Sequence, residues 1–131
     1  MIDHMGFAVS DIARSRRFYE AALAPLGMGV IMVATPEQTQ SGGTAIGFGK
    51  TDVGYPFFWI GDNERVGEGT HVAFPADSRA AVDAFHAAAV AAGGVDHGGP
   101  GLRPHYGPNY YAAFVLDPDG ANIEAVCRGP G

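Results

Sequence analysis

Three side chains in this sequence pair a useful chemical type with a telling position: His4, His71 and Glu124. Each histidine sits in an apolar run, I-D-H-M-G-F-A-V at residues 2–9 and T-H-V-A-F-P at residues 70–75. Side chains alternate faces along a strand, so Met5 and Phe7, like Val72 and Phe74, fall opposite the histidine. The bulky residues should pack on helices. That leaves the imidazoles on the other face, beside the small Gly6 and Ala73. In residues 121–127, Ile123, Ala125 and Cys127 share one face, and Asn122, Glu124 and Val126 the other. A lone carboxylate in such a strand is costly to bury unless paired or metal-bound. Two imidazoles and one carboxylate suit one divalent ion (Fe, Mn, Ni or Zn) and leave positions open for substrate or water. Such an ion polarises a substrate carbonyl or is chelated by two neighbouring oxygens.

The stretch L-R-P-H-Y-G-P-N-Y-Y at residues 102–111 supplies further candidates. A general base must lie within hydrogen-bond reach of the substrate. His105 is the choice here, with Tyr110 and Tyr111 as proton carriers or orienting groups and Tyr106 at the substrate. Arg103 could hold an acidic group, and Phe48, Trp59 and Phe114 could wall an aromatic pocket. Strand parity alone does not decide which of Tyr110 and Tyr111, or of Phe57 and Phe58, faces inward. The remaining groups read as structural or solvated. His86 belongs to a helix surface and His97 to a loop. Asp117 and Asp119 form a turn, Cys127 is a small buried hydrophobe, and Arg14, Arg16 and Arg17 make a solvated helix face.

The elements that must position these groups repeat. Sliding the chain by 67 residues lays His4 on His71, Phe7 on Phe74, Phe18 on Phe85 and Gly27 on Gly94. The helix caps Asp11 and Ser78 coincide as well. The first unit reads as a strand at 2–9, a helix closed by Gly27, and strands at 28–35, 44–50 and 55–60. The second reads as a strand at 70–75, a helix ending at Gly93-Gly94, a Gly- and Pro-rich loop at 98–108, and strands at 109–116 and 121–127. The polar segment 61–68 separates them. The expected fold class is α+β, a single domain over residues 1–131. It comprises two tandem β-α-β-β-β modules, at about 1–62 and about 68–128.

Composition limits the partners. At 131 residues and 47% apolar, the chain has enough apolar surface for one core. Its net charge of −6, without a basic stripe, argues against nucleic acid. No apolar run is long enough to span a membrane, and the single cysteine makes no internal disulfide. A cytoplasmic protein acting on a small molecule is the expectation.

The opening I-D-H-M-G-F-A-V-S-D-x-x-x-S-x-x-F-Y and the closing D-P-D-G-x-x-I-E resemble the vicinal oxygen chelate superfamily. That group includes glyoxalase I, extradiol dioxygenases, fosfomycin-resistance proteins and metal-free bleomycin-binding proteins. The resemblance spans the whole chain. It implies paired modules forming a half-open, barrel-like mixed sheet, usually in a homodimer, with metal ligands at His4, His71 and Glu124. It also implies lyase, isomerase or ring-opening dioxygenase chemistry, or, alternatively, metal-free sequestration of a small molecule as in bleomycin resistance. The fourth ligand of glyoxalase I has no counterpart in Y-P-F-F-W-I at residues 55–60, and Phe114 stands where the dioxygenase signature has Tyr.

Overall fold

The computed structural model describes all 131 residues. Module one runs β1 (Met5–Ala8), α1 (Ile12–Leu23), a 3-10 turn (Ala24–Leu26), β2 (Met28–Ala34), β3 (Ala45–Lys50) and β4 (Phe58–Gly61). Module two runs β5 (His71–Pro75), α2 (Arg79–Ala91), β6 (Val95–Leu102), a 3-10 turn (Pro104–Tyr106), β7 (Tyr111–Leu116) and β8 (Asn122–Cys127). Both helices start on the caps expected from sequence: Asp11 accepts from the Arg14 N–H at 3.0 Å and Ser78 from the Ala81 N–H at 3.1 Å. Gly27, at φ +75°, makes the left-handed turn that ends the first helical segment. Neither helix is long and apolar enough to cross a membrane.

The strands form two separate four-stranded mixed sheets, ordered β1-β4-β3-β2 and β5-β8-β7-β6. The expected α+β pattern of two β-α-β-β-β units is the fold observed, and it is not closed into a barrel. Two local expectations change. The first strand begins at Met5, so His4 precedes it. The loop expected at 98–108 is strand in its first part, because β6 runs through Gly98, Gly99, Pro100 and Gly101 to Leu102. It pairs with β7 only, with two register breaks, and an edge position tolerates Pro and Gly in that way.

The helix-bearing faces of both sheets feed one core of 22 buried residues. Phe58 of β4 meets Phe74 of β5 edge-on, with ring centroids 5.1 Å apart. The β7–β8 turn does more than reverse the chain. The Tyr19 hydroxyl of α1 donates to Asp117 at 2.5 Å, and Asp119 accepts from the Ser10 N–H, the Ser10 hydroxyl and Arg14. Asp117, Asp119 and Arg14 therefore join the modules, where sequence suggested a turn and a solvated face.

Burial first, then the neighbouring Asp117 carboxylate, hold the Tyr19 hydroxyl well above the usual tyrosine value. The folded state thus keeps this proton more tightly than the unfolded chain. The stability it contributes is whole below the unfolded value of about 10 and is lost as pH climbs above it. Tyr19→Phe is expected to cost about 1–3 kcal/mol at pH 7 by orphaning one oxygen of a buried carboxylate. In chemical denaturation, the variant should also lose less stability than wild type between pH 9 and 11, a range set by the tyrosine value of about 10.

Candidate metal centre

The outer face of the second sheet, away from the core, carries His71, Ala73, Phe114 and Glu124. The parallel β5–β8 ladder sets Ala73 beside Glu124, and the antiparallel β7–β8 ladder sets Phe114 on its other side. His71 Nδ1 lies 2.9 Å from the Asn122 carbonyl oxygen, which can only accept, so the proton sits on Nδ1. Nε2 then faces Glu124 Oε1 at 3.1 Å. Glu124 is 3% exposed, and its other oxygen accepts from the Tyr110 hydroxyl. Two cis ligands held at about 2.1 Å from a metal stand about 3 Å apart, so Nε2 and Oε1 already have the spacing of one edge of a coordination polyhedron. A buried carboxylate with one imidazole and one phenol is the kind of donor set that a cation completes.

Burial, and after it the hydrogen bond and charge of Glu124, push the Tyr110 hydroxyl up to about 12. At neutral pH Tyr110 is a donor that positions the carboxylate. Tyr110→Phe is expected to weaken metal affinity about 10–100-fold, the usual effect of losing an outer-shell partner, while far-UV circular dichroism stays unchanged.

The first sheet carries His4. Its Nδ1 is 2.7 Å from Asp3, which also accepts from the Tyr55 hydroxyl at 2.6 Å. The Tyr55 bond, and then His4, hold the Asp3 carboxyl below its usual value. This carboxylate–histidine pair engages Nδ1, as the Asn122 carbonyl does at His71, and leaves His4 Nε2 free. His4 opens onto a groove of about 540 Å³ whose wall includes Gly6, Ser41, Trp59 and Glu64. The Trp59 indole lies on bare backbone at Gly47, where a Cβ would come within 2.9 Å of the ring, while a Cβ on Gly6 would come within 2.9 Å of the Trp59 Cβ. Register gives this residue a meaning. Gly6 is the repeat equivalent of Ala73; the neighbour of Ala73 is Glu124, and the neighbour of Gly6 is Trp59. An indole therefore occupies in the first sheet the place that Glu124 has in the second.

The two halves lie on separate sheets. No group of three His, Cys, Asp or Glu side chains in the chain gathers closely enough to hold a metal. His71, Glu124, Tyr110 and Phe114 come together, with His71 stacked on Phe114 at 6.3 Å and Arg103 5.5 Å above the Phe114 ring. Tyr106 packs on Tyr110 at 5.2 Å. His105 rests on Tyr106 at 4.1 Å, on the exposed 3-10 turn.

Two expected site residues lie elsewhere. Phe48 is fully buried in the core among Tyr19 and Phe58, so it walls no pocket. Tyr111 points to the helix side, its hydroxyl on Asp83 of α2 at 2.6 Å, leaving Tyr110 as the tyrosine at the site. His86 pairs with Asp96 at 2.9 Å, away from these groups. Asp3, Tyr55 and Arg128, whose guanidinium lies 4.9 Å from the centre of the Tyr110 ring, are additions. Asp3 adjoins His4 in sequence, whereas the roles of Tyr55 and Arg128 depend on tertiary contacts.

Comparison with known proteins agrees with this fold. A glyoxalase/bleomycin resistance protein from Albidiferax ferrireducens T118 superposes with a TM-score of 0.73 at 30% identity, covering 98% of this chain and 99% of that one. A glyoxalase I variant from Zea mays gives 0.71 at 26% identity, covering 95% of this chain, which spans 46% of that one. A family enzyme from Burkholderia phytofirmans PsJN, at 17% identity and a TM-score of 0.68, shares the fold. A search of curated protein sequences gives no significant match. The family profile matches residues 1–125, and the chain belongs to the glyoxalase/bleomycin resistance protein/dioxygenase superfamily.

Proposed function

We propose that this protein is a divalent-metal-dependent enzyme acting on a small oxygen-bearing substrate, and that it works as a homodimer. His71 and Glu124 of one protomer, with His4 of the other, would hold the ion. The observation that carries this reading is the pair of donors at ligand spacing, His71 Nε2 and Glu124 Oε1 at 3.1 Å, with the third candidate on a different sheet. When bound, the ion would supply Lewis acidity toward a carbonyl or a pair of neighbouring oxygens. The chain's own groups have separate tasks. Asn122 and Asp3 fix the histidine tautomers, and Tyr110 orients Glu124. Trp59 and Phe114 present flat apolar surface, and Arg103 and Tyr106 line the substrate side. His105, exposed beside Tyr106, is the imidazole available to exchange a proton with substrate. Lyase, isomerase or ring-opening dioxygenase chemistry all fit three protein ligands with open positions.

The second reading is sequestration of a small aromatic compound without metal. The Trp59 indole spread over Gly47 in the wall of the His4 groove favours it. Elemental analysis of protein purified without a chelating tag decides between the two. About one Fe, Mn, Ni or Zn per chain, abolished by His71→Ala, supports the metalloenzyme. No metal, and no uptake when each ion is added, supports sequestration.

A further inference from the structure

We propose that the ligand of this site carries an oxyanion group, such as a carboxylate, received by Arg103 and Arg128. This deepens the proposed function and rests on its placement of the site around Glu124. The Arg103 guanidinium lies 5.5 Å above Phe114, the cross-strand neighbour of Glu124. It donates to the Gly99 carbonyl at 2.7 Å. It also runs along bare β6 backbone, where a Cβ on Gly98 or Gly101 would come within 3.3 and 3.0 Å. One ring, one carbonyl and two glycines thus fix where this cation stands. Arg128 lies 4.9 Å from the centre of the Tyr110 ring, and the Tyr110 hydroxyl is on Glu124. Both guanidiniums are anchored on the aromatic neighbours of one carboxylate.

Neither has an acidic partner. The ion pairs of the chain are His4–Asp3, Arg14–Asp119, Arg16–Glu20, His71–Glu124 and His86–Asp96. Glu124 accepts from the Tyr110 hydroxyl and faces His71 Nε2 at 3.1 Å rather than either arginine. What sets these two apart from the chain's other unpaired basic groups is their place on the ring neighbours of Glu124. Surface arginines that merely solvate need no glycine channel and no aromatic seat. A planar guanidinium with free N–H groups matches a carboxylate or phosphate in two parallel hydrogen bonds. The same two charges repel a cationic ligand.

The test compares catechol with 3,4-dihydroxybenzoate, which presents the same pair of oxygens plus a carboxylate. Both are titrated calorimetrically into wild type, Arg103→Met and Arg128→Met, each in metal-loaded and metal-stripped form. Wild type is expected to bind the carboxylate probe at least about tenfold tighter than catechol. Arg103→Met should remove most of that preference and Arg128→Met part of it, read as the ratio of the two affinities in each variant. Equal affinities in wild type, no binding of the carboxylate probe in either form, or a preference untouched in both variants would overturn the proposal. Failure to take up metal counts against the metal centre alone, because the difference between the probes is still read on the metal-stripped protein.

Discussion

Mixing unfolded His4→Ala chains with unfolded Glu124→Ala chains and refolding them together is expected to restore metal binding that neither variant shows alone. In a two-fold dimer with the first sheet of one protomer against the second sheet of its partner, each centre draws His4 from one chain and His71 with Glu124 from the other. A heterodimer of the two variants puts both defects into one centre and leaves the other intact. Random pairing makes half the dimers mixed, so total metal should reach about a quarter of the wild-type content. If each chain built its own centre, every centre in the mixture would carry a defect and the metal content would stay at zero. Elemental analysis of the refolded mixture reads the difference directly. The separation of His4, whose Nε2 has no protein partner, from His71 and Glu124 on the other sheet is what favours recovery.

Glu124→Ala should cost metal affinity more than about 100-fold, beyond the loss of an outer-shell partner, while leaving the fold nearly as stable. Breaking a buried ion pair commonly costs about 3–5 kcal/mol, because the remaining charge has no compensation. Here the surviving partners escape that penalty. The His71 side chain is 46% exposed and can turn to water as a neutral ring, and Tyr110 is partly exposed. Removing the carboxylate also removes its own desolvation cost. The unfolding free energy of the metal-free protein is therefore expected to change by no more than about 1 kcal/mol. Metal titration and urea unfolding on the same preparation check both halves. Undiminished metal uptake would remove Glu124 from the ligand set.

The parts of this site visible in sequence were those governed by strand parity and by the repeat. His71 and Glu124 alternate with bulky apolar neighbours, and the duplication pairs His71 with His4. Phe48 sits between Gly47 and Gly49, where flanking glycines hide the alternation that would have placed it in the core. Tyr110 and Tyr111 are adjacent, so one points each way. Only the hydrogen bonds to Glu124 and Asp83 tell them apart. The sixth strand was hidden by D-H-G-G-P-G, a composition that reads as a loop until β7 pairs with it. Tyr55, Arg128, Asp117 and Asp119 owe their roles to partners distant in sequence, which no local pattern announces.

The seam between the modules also sets an order of events during synthesis. Tyr19 waits for Asp117, 98 residues further along, and Ser10 waits for Asp119 at a separation of 109. A nascent chain that has completed its first four strands still presents α1 with an unmet phenol and the apolar side of Phe18 and Phe58 uncovered. Contacts of such long range close late, and the first half therefore leaves the ribosome before it can finish folding. The last hairpin to be made is the one that locks the first helix to be made, so the two halves should be acquired as a unit rather than in succession.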